Sequence, residues 1–89
     1  MPTIQIIVRG KVQGVFYRMD AADKAIELNL KGWVRNNKDG NVELLISAGE
    51  AELEKFIEWA KVGPPGAIVE EVVVTPKGDM ELDNFTILR

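Results

Sequence analysis

The chain has 89 residues, 46% of them apolar, a net charge of −3 and neither cysteine nor histidine. That length suits one compact domain, and the missing residue types exclude disulfides, thiolate nucleophiles, imidazole bases and the usual zinc ligands. With no visible basic face, no apolar run of membrane-spanning length and no cleavable leader pattern, the expectation is a soluble, cytoplasmic protein with neither a nucleic-acid nor a membrane partner.

Ile4 to Arg9 is rich in β-branched residues. Ile4, Ile6 and Val8 alternate with Gln5, Ile7 and Arg9, and apolar residues on both faces predict a central strand. Gly10-Lys11-Val12-Gln13-Gly14-Val15-Phe16-Tyr17-Arg18 comes next. Its two glycines let the backbone bend and be approached closely. No proline interrupts it, so every amide keeps its N–H. Such a loop feeding a helix start makes an anion site, because backbone donors converge and the helix dipole favours negative charge. Arg18 adds a planar fork shaped for two oxygens of a phosphate or carboxylate.

The spacing predicts a helix over 18–29, with Met19, Ala22, Ala25 and Ile26 inward and Asp20, Asp23, Lys24 and Glu27 outward. Asp20 and Asp23 suit the helix start but compete for Arg18. Asn29 is predicted to close the helix in a left-handed cap. Strands over 31–36 and 41–47, joined by the Asn37-Lys38-Asp39-Gly40 turn, make a hairpin. A second helix spans 49–62, with Leu53, Phe56, Ile57 and Ala60 as its stripe and Gly63-Pro64-Pro65 as its stop. Within a strand over 67–75, the spacing of Val69, Val72 and Val74 slips phase, which predicts a β-bulge near Glu70-Glu71. Pro76 is expected to end that strand and Lys77-Gly78-Asp79 to turn the chain into a last strand over 82–88, with Phe85 and Ile87 on one face. The order βαββαββ predicts an α+β open-faced sandwich, two helices packed on one face of a mostly antiparallel sheet.

The inventory restricts mechanism. Ser47 is the only serine, and no activating base lies near it in sequence. The acids are scattered along helix faces and strand edges rather than clustered for a metal. Trp33 reads as core or strand packing and Arg35 as either a solvated residue or an anion attractor. Of Phe16 and Tyr17, at least one is expected to be buried. Trp59, at the margin of its helix stripe, is expected to be partly so.

The Gly10-to-Arg18 run resembles the signature of the acylphosphatase family. The match continues, in order and spacing, through Gly32-Trp33-Val34-Arg35-Asn36, Asp39-Gly40 and Gly63-Pro64-Pro65. It covers nearly the whole chain, which reads as a single acylphosphatase-like domain over 1–89. The resemblance implies a ferredoxin-like arrangement and hydrolysis of the carboxyl–phosphate bond of acyl phosphates to a carboxylate and inorganic phosphate. Carried over residue by residue, it implies Arg18 and Asn36 as the catalytic pair. Arg18 would grip two phosphate oxygens, and Asn36 would orient the attacking water. Backbone N–H groups of Gln13, Gly14, Val15, Phe16, Tyr17 and Arg18 would bind the phosphate. No metal or cofactor is expected. The partners would be a small acyl phosphate and inorganic phosphate, the latter also an inhibitor, on a monomeric chain. Two positions depart from the family pattern: Asn29 replaces the usual glycine, and Ile68 stands where arginine is frequent. The competing reading is a non-catalytic anion-binding or regulatory module on the same fold, which would need the cradle and Arg18 but not Asn36. RNA binding by a sheet face lacks the paired strand aromatics.

Overall fold

The computed structural model describes residues 1–88. Its elements are β1 (Pro2–Lys11), α1 (Tyr17–Glu27), β2 (Lys31–Asn36), β3 (Val42–Ser47), α2 (Glu50–Val62), β4 (Ile68–Asp79) and β5 (Phe85–Ile87). The strands form one sheet in the order β4-β1-β3-β2-β5, antiparallel except for the parallel pair β2–β5. β1 lies between β4 and β3, as apolar residues on both its faces predict. The helices share one face of the sheet, α1 over β2 and β5, and α2 over β4 and β1. This is the expected open-faced sandwich. No helix among the described residues is long and apolar enough to cross a membrane.

The core lies between that face and the helices. Ile6, Val8, Val34, Val42, Leu44, Ile46 and Phe56 have no exposed surface. Each such side chain contributes about 1.5–3 kcal/mol by leaving water. Exposed ion pairs such as Lys61–Glu58 contribute at most about 1 kcal/mol, so burial sets the architecture. α2 uses the stripe predicted for it, with Leu53, Phe56 and Ala60 buried. α1 does not. Its buried residues are Tyr17, Ala21, Ala22 and Ala25, while Met19 and Ile26 are 57% and 63% exposed. Tyr17, Ala21 and Ala25 are spaced i, i+4, i+8, and the small alanines let the helix backbone sit close to the sheet. Asn29 adopts φ 58°, and Leu30 N–H donates to Ala25 O at 2.8 Å while Asn29 N–H donates to Ile26 O at 3.1 Å. This is a Schellman cap with asparagine in the left-handed position.

β4 contains the expected bulge: Arg9 pairs with Glu71 and Gly10 with Val69, so Glu70 is left over. The strand does not end at Pro76 as the sequence suggests. It continues to Asp79 through a second irregularity between the pairs Pro2–Asp79 and Ile4–Pro76. β4 is an edge strand, where a proline without an N–H costs no ladder bond. The last strand is shorter than predicted, three residues against seven, but Phe85 and Ile87 do pack against the core.

Candidate active site

β1 delivers the chain into the loop at Val12, and the two loop glycines serve different ends. At Gly10 (φ 131°) the close approach is by the protein itself: a Cβ there would lie 2.1 Å from the carbonyl oxygen of Ile68 in β4. At Gly14 (φ 74°) a Cβ would meet nothing within 4 Å, and what the position requires is its left-handed backbone. Phe16 is left-handed too, at φ 61°, ψ 22°. Among the described residues Val15, between them, is not, so the sign of φ alternates along the loop. Alternation of this kind turns successive N–H groups toward one side and makes an anion nest. Among the described residues, nothing accepts the amides of Gly14, Val15, Phe16, Tyr17 or Arg18. Tyr17 and Arg18 are in the first turn of α1, where no intrahelical acceptor exists.

One cavity of about 470 Å³ is lined by Val12, Gly14, Phe16, Tyr17, Arg18, Met19, Asn36 and Ile87. Arg18 and Asn36, 18 positions apart in sequence, therefore share one site. Topology explains the meeting: Asn36 ends β2 opposite Val42 of β3, and Val42 also pairs with Val8 of β1, shortly before the loop. Arg18 Nη1 donates to the carbonyl of Leu88 at 3.3 Å, and Leu88 N–H in turn donates to Val34 O at 2.8 Å. The stretch after β5 thus tethers the guanidinium beside the end of β2. No acid pairs with Arg18 among the described residues, so the expected competition from Asp20 and Asp23 is absent there.

Gln13 and Val15 belong to the loop but not to the cavity lining. Gln13 Nε2 donates to the carbonyls of Asn37 and Asn41, both at 2.9 Å. It staples the loop to the hairpin turn that follows Asn36. Val15 packs against the core. Sequence reasoning missed this staple, the Leu88 tether and the apolar lining from Val12, Met19 and Ile87. Only Ile87, facing the same way as Phe85, left a signal in the strand alternation.

Tyr17 is the buried aromatic of the pair and Phe16 the exposed one, at 1% and 74%. The Tyr17 ring lies against Trp59, centroids 5.3 Å apart, and its hydroxyl donates to Ala60 O at 2.8 Å. In a helix that carbonyl would accept the N–H of residue 64, but Pro64 has none. Gly63 completes the fit, since a Cβ on it would come within 2.8 Å of Tyr17 Cε2. Gly63-Pro64-Pro65 is therefore more than a helix stop. It leaves a free carbonyl and the space for the ring that pins the loop's end to α2.

Burial pushes the Tyr17 phenol well above its ordinary range. Below about pH 10 both folded and unfolded states keep the proton. Above that the unfolded chain sheds a proton that the folded one retains, so stability falls as pH rises. Tyr17→Phe is expected to lose about 1–2 kcal/mol at pH 7, since the Ala60 carbonyl loses its donor, and to flatten the alkaline limb. Denaturant unfolding at pH 7 and above pH 10 checks both.

The other polar candidates lie elsewhere. Ser47 is buried and hydrogen-bonded to Thr3 Oγ1 at 2.6 Å. Arg35 chelates Glu43 Oε1 through Nε and Nη2 at 3.1 and 3.0 Å, and its guanidinium lies 5.1 Å from the Trp33 ring centroid. It is paired on the helix-free face of the sheet. Ile68 is 60% exposed beside Lys11.

A left-handed backbone costs an L-residue about 1–2 kcal/mol, and asparagine bears it better than most. Asn29 fits that rule and Phe16 breaks it. Phe16 also gives α1 no side-chain cap.

The family model for acylphosphatase matches residues 4–87. An acylphosphatase of Pyrobaculum calidifontis is 49% identical over 87 residues, covering 93% of this chain and 77% of that protein. One from Acaryochloris marina is 45% identical over 92 residues, covering 100% and 99%. The crystal structure of acylphosphatase from Bacillus subtilis superposes with a TM-score of 0.96 at 38% identity, each chain covered completely. With signature, fold and relatives in agreement across almost every residue, the chain belongs to the acylphosphatase family.

Proposed function

We propose that the chain hydrolyses acyl phosphates to a carboxylate and inorganic phosphate, as a single-domain, monomeric enzyme of the cytoplasm needing neither metal nor cofactor. One observation carries the reading: successive main-chain amides with no acceptor among the described residues belong to the loop that shares a cavity with Arg18 and Asn36. Backbone N–H groups from Gln13 to Arg18 hold the phosphoryl oxygens. The Arg18 guanidinium takes two of them and stabilises their charge in the transition state.

The Asn36 carbonyl accepts a hydrogen bond from water and aims it at phosphorus, opposite the carboxylate. The new P–O bond forms as the bond to the carboxyl oxygen breaks, and the bonding pair leaves with the carboxylate. A carboxylate is a stable anion and departs without a general acid. The transition state is loose, so the water needs placing more than deprotonating, and a phosphoryl oxygen takes its proton. The described lining residues include no carboxylate, imidazole or thiolate, which fits a mechanism without them. The absence of cysteine fits a reducing compartment.

The purified chain is expected to release phosphate from benzoyl phosphate at the same rate with and without excess chelator, with inorganic phosphate inhibiting competitively. Chelator-sensitive turnover would overturn the metal-free mechanism. Phosphate binding without turnover would leave the anion-binding module as the function.

A further inference from the structure

The phosphoryl group accounts for only the polar part of the cavity. Phe16, Met19, Val12 and Ile87 supply an apolar surface that a phosphate does not use. Phe16 and Met19 are also the most exposed of these, at 74% and 57%. Phe16 violates three local preferences at once: a left-handed backbone, a helix-cap position without a capping bond, and an aromatic ring in solvent. Among the described residues the other non-glycine with positive φ is an asparagine, which tolerates it. Such concentrated violations mark positions held for function. Met19 lies three residues further along, on the same side of the helix start. Among the described residues Arg18 is the sole charged one in the lining, and on the hydrolase reading the phosphoryl group takes it.

We propose that Phe16 and Met19, backed by Val12 and Ile87, form the subsite for the acyl group. They select acyl phosphates with an apolar, aryl or branched acyl group over those whose acyl group is small or charged. The inference rests on the hydrolase reading above and adds its substrate class. An aryl or branched chain leaving the phosphoryl group covers the Phe16 ring and the Met19 thioether, and both are dehydrated together. An acetyl group is too short to reach far across them. A carboxylate or second phosphate on the acyl group finds no further cation among the described lining residues to offset its lost hydration.

The test compares kcat/KM for benzoyl, acetyl and 4-carboxybenzoyl phosphate in the parent, Phe16→Asn and Met19→Gln. Asparagine suits the left-handed backbone, so the first variant removes the ring without adding strain. The parent is expected to prefer benzoyl over 4-carboxybenzoyl phosphate by about tenfold or more, and the benzoyl-to-acetyl ratio should fall about tenfold in Phe16→Asn and severalfold in Met19→Gln. Taking each ratio relative to the parent cancels the intrinsic difference between leaving groups. Turnover of all three substrates with a benzoyl-to-acetyl ratio unchanged within twofold in both variants overturns the subsite and leaves the hydrolase reading intact. No turnover of any substrate by the parent overturns the hydrolase reading and this inference with it.

Discussion

Arg18→Ala is expected to lower kcat/KM for benzoyl phosphate by about a thousandfold or more, the range seen when a phosphoryl-transfer arginine is removed. Among the described residues the guanidinium is the one fixed positive charge on the cavity wall, and it is tethered to the Leu88 carbonyl. On the proposed mechanism its removal would strip two donors from oxygens that gain charge in the transition state. Inhibition by inorganic phosphate should weaken as well, because on the same proposal the fork also binds the product. Arg18→Lys should recover little, since an ammonium is a point charge that cannot reproduce the bidentate geometry. The fold should tolerate both changes, as the bond to Leu88 is solvent-exposed. Near-normal turnover in Arg18→Ala, with unchanged phosphate inhibition, would remove arginine from the mechanism.

Asn36→Ala should behave differently. A loss of about a hundredfold or more in kcat is expected, comparable to deleting one well-placed polar group from a transition state. Phosphate inhibition should stay within about threefold of the parent, because the loop amides and Arg18 remain. This split separates an enzyme from a binding module. A module would lose nothing measurable with Asn36, whereas a water-positioning carboxamide would lose rate and keep affinity. Phosphate release for the rate and product inhibition for the affinity, measured on one preparation, decide it. If kcat for Asn36→Ala lies within a factor of three of the parent, the water-positioning role fails.

Much of the fold was legible because local chemistry and tertiary packing agree. The β2–β3 hairpin, the α2 stripe and the bulge at Glu70 follow from alternation, helical spacing and phase slip alone. The failures have physical causes. Met19 and Ile26 look like core residues by apolarity, but α1 packs through Tyr17 and alanines because close approach matters more there than side-chain volume. Pro76 reads as a strand end only if the strand is paired on both sides, and strand order cannot be read from a single chain's periodicity.

The arginine and the carboxamide could be paired only through the family's motif pattern, and the coordinates bring both residues to one cavity. What tunes that cavity was hidden, since a carbonyl such as that of Leu88 has no signature in the amino-acid code and the Gln13 staple depends on where a distant turn folds.

The edges of the sheet carry a consequence for how the molecule survives at high concentration. An open five-stranded sheet presents two unpaired borders, each a template on which another chain can lay a strand and begin a fibril. On β5 the template is three residues long, too short to hold a guest. On β4, with its β-prone Val72-Val73-Val74, the left-over Glu70 kinks one end, and Pro76 and the irregularity beyond it spoil the other. The flat stretch between them is shorter than the six or seven residues that aggregating segments need. The same bulge that keeps the valines in phase with β1 thus also guards the border against recruitment.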